Sequence, residues 1–154
     1  MKLFLVRHGE YVPETVDPEK SLSEKGKEDI HKLGEKLKSQ GFLVDIIYHS
    51  TKKRAEQTAQ IISKDILTGN RISAEEGLNP DDDIKPWVEK IQNVEVGENL
   101  MIVGHLPFME KLVAYLLTQD ENKAIVEFFE GTTVILEKNA DGKWIIEKTV
   151  NVNR

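Results

Sequence analysis

The chain reads as an α/β protein, a three-layer α/β/α sandwich whose sheet is mainly parallel with an antiparallel edge hairpin. Three observations predict that class. Short unbroken apolar runs, expected of strands buried on both faces, alternate with stretches whose apolar residues recur at helical spacing. The resulting order, β-α-β-α-β-(α)-β-α, builds a parallel sheet with helices on both sides. Two β-rich runs then close the chain around Asn139-Ala140-Asp141-Gly142, a hairpin signal. With 154 residues, 39% of them hydrophobic, there is apolar surface for one core and no room for a second. Residues 1–154 are therefore read as a single domain.

Leu3 to Val6 is the first strand, and its lack of polar alternation puts it in the middle of the sheet. A polar stretch with Pro13 and Pro18 leads to Ser23, an N-cap candidate with Glu24 in the first turn. Ile30, Leu33 and Leu37 mark a one-sided helix over residues 24–40, which Gly41 ends. Val44 to Tyr48 is the second strand and Ser50 the next N-cap candidate. Ala55, Thr58, Ala59, Ile62 and Ile66 share one face of the helix that follows, which stops before the turn pair Gly69-Asn70. Arg71 to Ala74 fits a third strand of low apolar content. Gly77, Pro80, Pro86 and the run Asp81-Asp82-Asp83 form a loop into a short helix near Trp87 to Gln92. Leu100 to Val103 is a fourth buried strand. Pro107 suits the first turn of a helix carrying Met109, Leu112, Val113 and Leu116. Thr132 to Glu137 and Lys143 to Val150 are the strands of the hairpin.

Composition narrows the function. Basic residues number 21 and acidic ones 27, a net charge of -6 that repels nucleic acid and anionic membrane surfaces. The absence of cysteine excludes disulfides, thiolate metal sites and every enzyme with a thiolate nucleophile, the cysteine phosphatases included. The opening apolar run is cut at Val6 by Arg7-His8-Gly9-Glu10, far short of a secretory h-region, and no other run would span a bilayer. A cytoplasmic protein is expected.

In open α/β sheets the ligand crevice lies at the carboxyl ends of the strands. Arg7-His8-Gly9 follows the first strand, Ser50 and Arg54 the second, and Gly104-His105 the fourth. Two histidines and two arginines therefore converge on one pocket, a set suited to phosphoryl transfer through a histidine nucleophile. A neutral imidazole attacks phosphorus in line and forms a phosphohistidine that water then hydrolyses, dividing one hard displacement into two easier ones. Arg7 and Arg54 would oppose the charge on the transferring oxygens, each through a planar fork that never loses its proton. Gly9 would let the backbone approach the phosphate, free N–H groups at the start of the Arg54 helix would add positive potential, and His105 would donate a further hydrogen bond.

These residues resemble the histidine phosphatase superfamily, the branched group of phosphoglycerate mutases and acid phosphatases. Leu5-Val6-Arg7-His8-Gly9-Glu10 looks like its R-H-G signature, Ser50-Thr51-Lys52-Lys53-Arg54-Ala55-Glu56-Gln57-Thr58 like its second element, and Val103-Gly104-His105-Leu106-Pro107 like its late histidine. Together with Leu22-Ser23-Glu24-Lys25-Gly26 they run in family order from residue 3 to about 117. Arg54-Ala55-Glu56-Gln57-Thr58, Leu78-Asn79-Pro80-Asp81 and Gly104-His105-Leu106-Pro107 resemble most the small SixA-type phosphohistidine phosphatases. Carried over, the resemblance implies a phosphoglycerate mutase-like fold, with His8 as the phosphorylated nucleophile and Arg7, Arg54 and His105 as the phosphate pocket. Shortness agrees, because relatives that select small phosphoesters carry insertions that roof the site.

The general acid does not carry over. Mutase-like relatives place a carboxylate in mid-chain, where this sequence reads Glu75-Glu76-Gly77-Leu78-Asn79-Pro80; Glu10, Glu76 and Asp81 stand as unassigned candidates, or the acid is absent. A phosphohistidine expels imidazole, a better leaving group than an alkoxide, so acid assistance matters less. His31 reads as solvated surface, and His49 lies near the pocket without a family role. Lys52 and Lys53 read as solvated surface, with the alternative that at the pocket rim they guide an acidic protein partner. Asp81-Asp82-Asp83 lacks the alternation and glycine turn of a hard-cation loop and reads as a helix cap. No P-loop, G-x-G-x-x-G or G-x-S-x-G is present. The expectation is a phosphatase without metal or cofactor, acting on a phosphohistidine-bearing protein such as a phosphocarrier or histidine-phosphotransfer domain of bacterial signalling or sugar uptake. The alternatives are a small-molecule phosphomonoesterase or mutase, and a non-catalytic phosphate-binding module.

Overall fold

A computed structural model describes residues 1–94 and 97–152 of the chain. The strands are β1 (Lys2–Arg7), β2 (Val44–His49), β3 (Leu67–Ala74), β4 (Leu100–Gly104), β5 (Thr133–Lys138) and β6 (Trp144–Val150). The helices are α1 (Glu24–Ser39), α2 (Lys53–Ile66), α3 (Lys85–Gln92) and α4 (Phe108–Thr118). One sheet orders its strands β3-β2-β4-β1-β5-β6. β1 pairs in parallel with β4, β4 with β2 and β2 with β3, while β5 is antiparallel to both β1 and β6. This is the three-layer sandwich with an edge hairpin that the sequence predicts.

Side-chain alternation along β1 divides the core. Leu3 and Leu5 join Ile102, Trp87, Ile91, Phe108 and Leu112 under α3 and α4. Phe4 and Val6 join Ile30, Leu33, Ala59 and Ile62 under α1 and α2. All four β1 side chains are fully buried, and each contributes about 1.5–3 kcal/mol relative to exposure in water. The helix that follows β1 and the helix that follows β4 thus cover opposite faces, although the two strands are neighbours. Such a switch point opens a crevice between their carboxyl ends.

Local chemistry sets most of the boundaries. Ser23 Oγ accepts the Gly26 N–H at 3.0 Å, the capping expected of it. At the far end of α1, the Gly41 and Phe42 N–H groups bond to the Lys38 and Leu37 carbonyls, a Schellman motif. The N-cap of α3 is Ile84, without a side-chain cap, so none of Asp81-Asp82-Asp83 takes the expected capping position; Asp83 Oδ1 accepts the Lys85 N–H from the turn before the helix, and Asp82 accepts from Asn79 N–H. Asn139 Oδ1 accepts from Asp141 and Lys143 in the hairpin turn.

Three expectations are corrected. Gly69-Asn70 lies within β3, which starts at Leu67, and falls where the register with β2 shifts from Val44↔Leu67 to Ile46↔Arg71, so the turn-forming pair is taken up as an irregularity in the strand. Ser50 is not the N-cap of α2; that position is Lys52, without a side-chain cap, and Ser50 Oγ accepts the Lys52 N–H from a turn before the helix. The short helix begins at Lys85, ahead of Trp87, with Pro86 in its first turn.

α1 starts against the loop that carries His8. Ser23 N–H bonds to the Glu10 carbonyl, and a Cβ on Gly26 would lie 2.1 Å from that same oxygen. Alanine at this helical position gains under about 1 kcal/mol in propensity, less than such an overlap with backbone costs. Gly26→Ala is therefore expected to destabilise the fold by about 1–3 kcal/mol in urea denaturation. Gly69→Ala, with open space around its Cβ, is expected to stay within about 0.5 kcal/mol of the parent. Equal midpoints for the two variants would show that α1 does not bear on the Glu10 backbone.

Candidate active site

Parallel pairing of β1 with β4 sets Arg7 opposite Gly104, so the next residue on each strand enters the crevice beside the other. His8 N–H continues the ladder to the Gly104 carbonyl at 3.1 Å, and Gly131 N–H bonds back to the Arg7 carbonyl at 3.0 Å. The first loop is thus clamped by both neighbouring strands. The His8 and His105 ring centroids lie 5.0 Å apart at an interplanar angle of 56°.

His8 Nδ1 is 2.8 Å from the Gly9 carbonyl. A carbonyl only accepts, so Nδ1 carries the proton and the neutral ring keeps a bare lone pair on Nε2. That nitrogen has no partner among the described residues and is not among the sealed, unpaired atoms. The residue as a whole is 4% exposed. Burial pushes its pKa down to about 4, helped by Arg54 and Arg7 and opposed by the bond to Gly9. His105, 2% exposed, is pushed down to about 3 by burial and then by its charged neighbours. Its Nε2 meets Ser50 Oγ at 2.8 Å, and its Nδ1 is buried without a partner.

The two guanidinium groups complete the set. Arg7 donates from Nη1 to the Phe128 carbonyl at 3.1 Å, and Arg54 lies over the Tyr11 ring, its Cζ 4.9 Å from the centroid. Neither is ion-paired among the described residues, and the Nε of each is buried without a partner. Buried donors with no acceptor cost free energy, and an oxyanion would satisfy them. Burial lowers the Arg54 pKa from its ordinary value without threatening its charge. Cavities flank the set on two sides. One of about 280 Å³ is lined by Arg7, Glu10 and Lys25, and another of about 430 Å³ by Arg54, Lys52, Lys53 and Lys20. A larger one of about 590 Å³, between α4 and the hairpin, touches none of the four residues.

Arg7, His8, Arg54 and His105 therefore come together as the sequence predicts. Gly9 is used differently. Its N–H is taken by Thr58 Oγ1 at 3.0 Å, and a Cβ there would lie 2.8 Å from Ile30 Cγ1, so glycine lets the loop close on α1. Glu10 is tied to Ser23 Oγ at 2.7 Å. Glu76 and Asp81 make no side-chain hydrogen bond or ion pair with the four. His49 is buried, its Nδ1 bonded to the Ser50 carbonyl and not to the crevice residues. Sequence reasoning missed Tyr11, the Ser50 link to His105 and the Thr58 link to Gly9. An aromatic residue three positions after the histidine, in a polar loop, was the one available sign of the first.

The sequence model of the histidine phosphatase superfamily (branch 1) matches residues 3–80. Over 105 residues the chain is 32% identical to the mitochondrial serine/threonine-protein phosphatase PGAM5 of Mus musculus, covering 64% of this chain and 36% of that protein. Over 108 residues it is 34% identical to a phosphoglycerate mutase of Schizosaccharomyces pombe, covering 58% of this chain and 51% of the mutase. The chain thus matches about a third to a half of the length of these relatives. Its fold matches that of the protein histidine phosphatase SixA complexed with tungstate at a TM-score of 0.87, with 19% identity over 99% of this chain and 97% of that one. With the R-H-G segment, the Arg54 helix and the late histidine brought to one crevice, the chain belongs to the histidine phosphatase superfamily, branch 1.

Proposed function

We propose that residues 1–154 form one phosphatase domain that removes phosphate from a histidine of a protein substrate through a covalent phosphohistidine on His8. The observation that carries the reading is the bond from His8 Nδ1 to the Gly9 carbonyl, which leaves Nε2 unprotonated in the field of two guanidinium groups that have no carboxylate partner among the described residues. In the first step the Nε2 lone pair forms a bond to phosphorus as the bond from phosphorus to the leaving nitrogen breaks. Arg7 and Arg54 hold the equatorial oxygens, and His105 adds a hydrogen bond. The departing imidazole takes up a proton from solvent. In the second step water attacks the phosphorus, the bond to Nε2 breaks, the water proton passes to the released phosphate, and His8 returns to its neutral form.

A protein substrate is supported by the connections between the described strands and helices, which include no inserted segment over the crevice, and by the good leaving ability of imidazole, which suits a site with no settled acid. We place its action in the cytoplasm, on a phosphocarrier or histidine-phosphotransfer domain. No described helix is long and apolar enough to cross a membrane. One observation favours a small phosphomonoester instead: Glu10 lines the same cavity as Arg7, where a carboxyl group would protonate an alkoxide.

The experiment is a comparison of kcat/KM for a phosphohistidine protein, p-nitrophenyl phosphate and a sugar phosphate. The phosphohistidine protein is expected to exceed the other two by at least about tenfold, and a preference for the sugar phosphate would transfer the assignment to the ester reading. His8→Ala is expected to abolish turnover and phosphate trapping, and Arg54→Ala to lower the rate about 100–1,000-fold without unfolding the protein. Unchanged hydrolysis by the His8 variant would rule the mechanism out.

The lowered histidine pKa gives a second test. Between about pH 6.5 and 4 the unfolded chain binds protons that folded His8 refuses, so stability falls as pH drops through that window. Nitrogen-15 spectra are expected to record a neutral, Nδ1-protonated His8 at pH 6, and a midpoint that rises when tungstate is added, since an anion favours imidazolium. A ring that titrates near 6.5 without anion would contradict the geometry.

A further inference from the structure

Arg54 is the one member of the crevice set whose side chain has no hydrogen bond or ion pair among the described residues. Lys2, Arg71 and Lys90 elsewhere in the protein rest against Glu147, Glu98 and Glu75. Arg54 rests on an aromatic face instead, and the same Tyr11 ring meets His8 edge-on, with centroids 5.2 Å apart at 72°. A carboxylate would hold the guanidinium equally well, but it would neutralise the charge and occupy the N–H fork. A ring quadrupole attracts the cation while leaving every donor free.

The backbone keeps this pair in register. Tyr11 bridges to Leu22, Val12 N–H bonds to the Ser21 carbonyl, and Leu22 N–H bonds to Gln57 Oε1 at 2.7 Å. Gln57 lies one turn beyond Arg54 on α2, so the loop that presents the ring is fastened to the helix that presents the cation. Arg54 also carries Thr58 Oγ1 on its carbonyl at 2.8 Å, and Thr58 in turn accepts the Gly9 N–H. Both ends of the loop that starts at His8 thus answer to the first turns of α2.

We propose that Tyr11 is a positioning residue: its face sets the Arg54 fork, and its edge bounds the His8 ring, before any phosphoryl group arrives. The inference rests on the phosphatase reading above and names a further residue on which that site depends. Among the described residues the phenol oxygen makes no hydrogen bond, and the contacts the side chain does make, to Arg54 and to His8, are made by the ring.

Tungstate binding by calorimetry and kcat/KM for p-nitrophenyl phosphate test it in Tyr11→Leu, Tyr11→Phe and a protein with pentafluorophenylalanine in place of Tyr11. Leucine is expected to weaken tungstate binding and lower kcat/KM about tenfold, and phenylalanine to restore both to within about twofold. The fluorinated ring keeps the shape and inverts the quadrupole, so it is expected to reproduce the leucine loss even where leucine impairs folding. In an Arg54→Ala background the leucine change is expected to cost less than it does in the parent, because only the edge contact with His8 is left to lose. Full tungstate affinity with the fluorinated ring, an equal loss in Tyr11→Phe, or a leucine loss undiminished without Arg54 would each overturn the proposal. A parent protein that binds tungstate but hydrolyses no phosphoryl substrate would sink the phosphatase reading and leave Tyr11 to be judged on anion affinity alone. A parent protein that binds no tungstate would overturn both.

Discussion

Uncompensated positive charge in a poorly solvated crevice is the constraint around which this molecule is arranged. Two guanidinium groups with buried, unpartnered Nε atoms converge on two neutral imidazole rings. Holding such groups together costs free energy that a simpler surface would avoid, and the cost is met by the rest of the fold. β1 is buried on both faces and paired on both edges, so the residues that follow it have little freedom to move away. The same rigidity that makes the arrangement affordable makes it specific, because an oxyanion is the species that relieves it.

Neighbouring strands place the histidines, and a helix places the second arginine. His8 and His105 meet because β1 and β4 are adjacent and because the chain leaves each toward a different face of the sheet. Arg54 reaches them from α2 by a less direct route, one strand further on, where the sheet alone sets no side-chain position. The additional contacts of this region are concentrated there: Gln57 to Leu22, Thr58 to Gly9, and Tyr11 under the guanidinium. The Q and T of the Arg54 motif, Gln57 and Thr58, are thus structural ties between helix and loop.

That division also explains what the sequence discloses. The strands β1, β2 and β4 are legible as short apolar runs because burial on both faces removes polar alternation. β3 is not, since Leu67–Ala74 is an edge strand with mostly exposed side chains, and its Gly69-Asn70 pair has the local chemistry of a turn. Arg7, His8 and His105 are legible because each stands where an apolar run breaks. The Ser50 bond to His105 and the Thr58 bond to Gly9 join residues 55 and 49 positions apart, and no local pattern announces such pairs. Gly9 was recognised for its type, while its reason, a loop closing on Ile30, depends on where α1 comes to rest.

The low histidine pKa values bear on how the site would work. An empty crevice that held His105 as a cation would add a third positive charge to two guanidinium groups, and burial together with His8, Arg54, Lys52 and Arg7 disfavours that state. A phosphoryl dianion reverses the sign of the local field, so the cations that suppress protonation in the free site are matched once it binds. Proton uptake by His105 would then accompany binding, whereas the proposed mechanism needs His8 unprotonated at Nε2. The asymmetry between the two rings lies in their partners. His8 has a carbonyl on Nδ1, which fixes the proton away from the reacting nitrogen, while His105 has a hydroxyl on Nε2, which can donate or accept. One ring is held in a single protonation pattern and the other is free to change, and that difference is what the proposed roles of nucleophile and hydrogen-bond donor would ask of the same residue type.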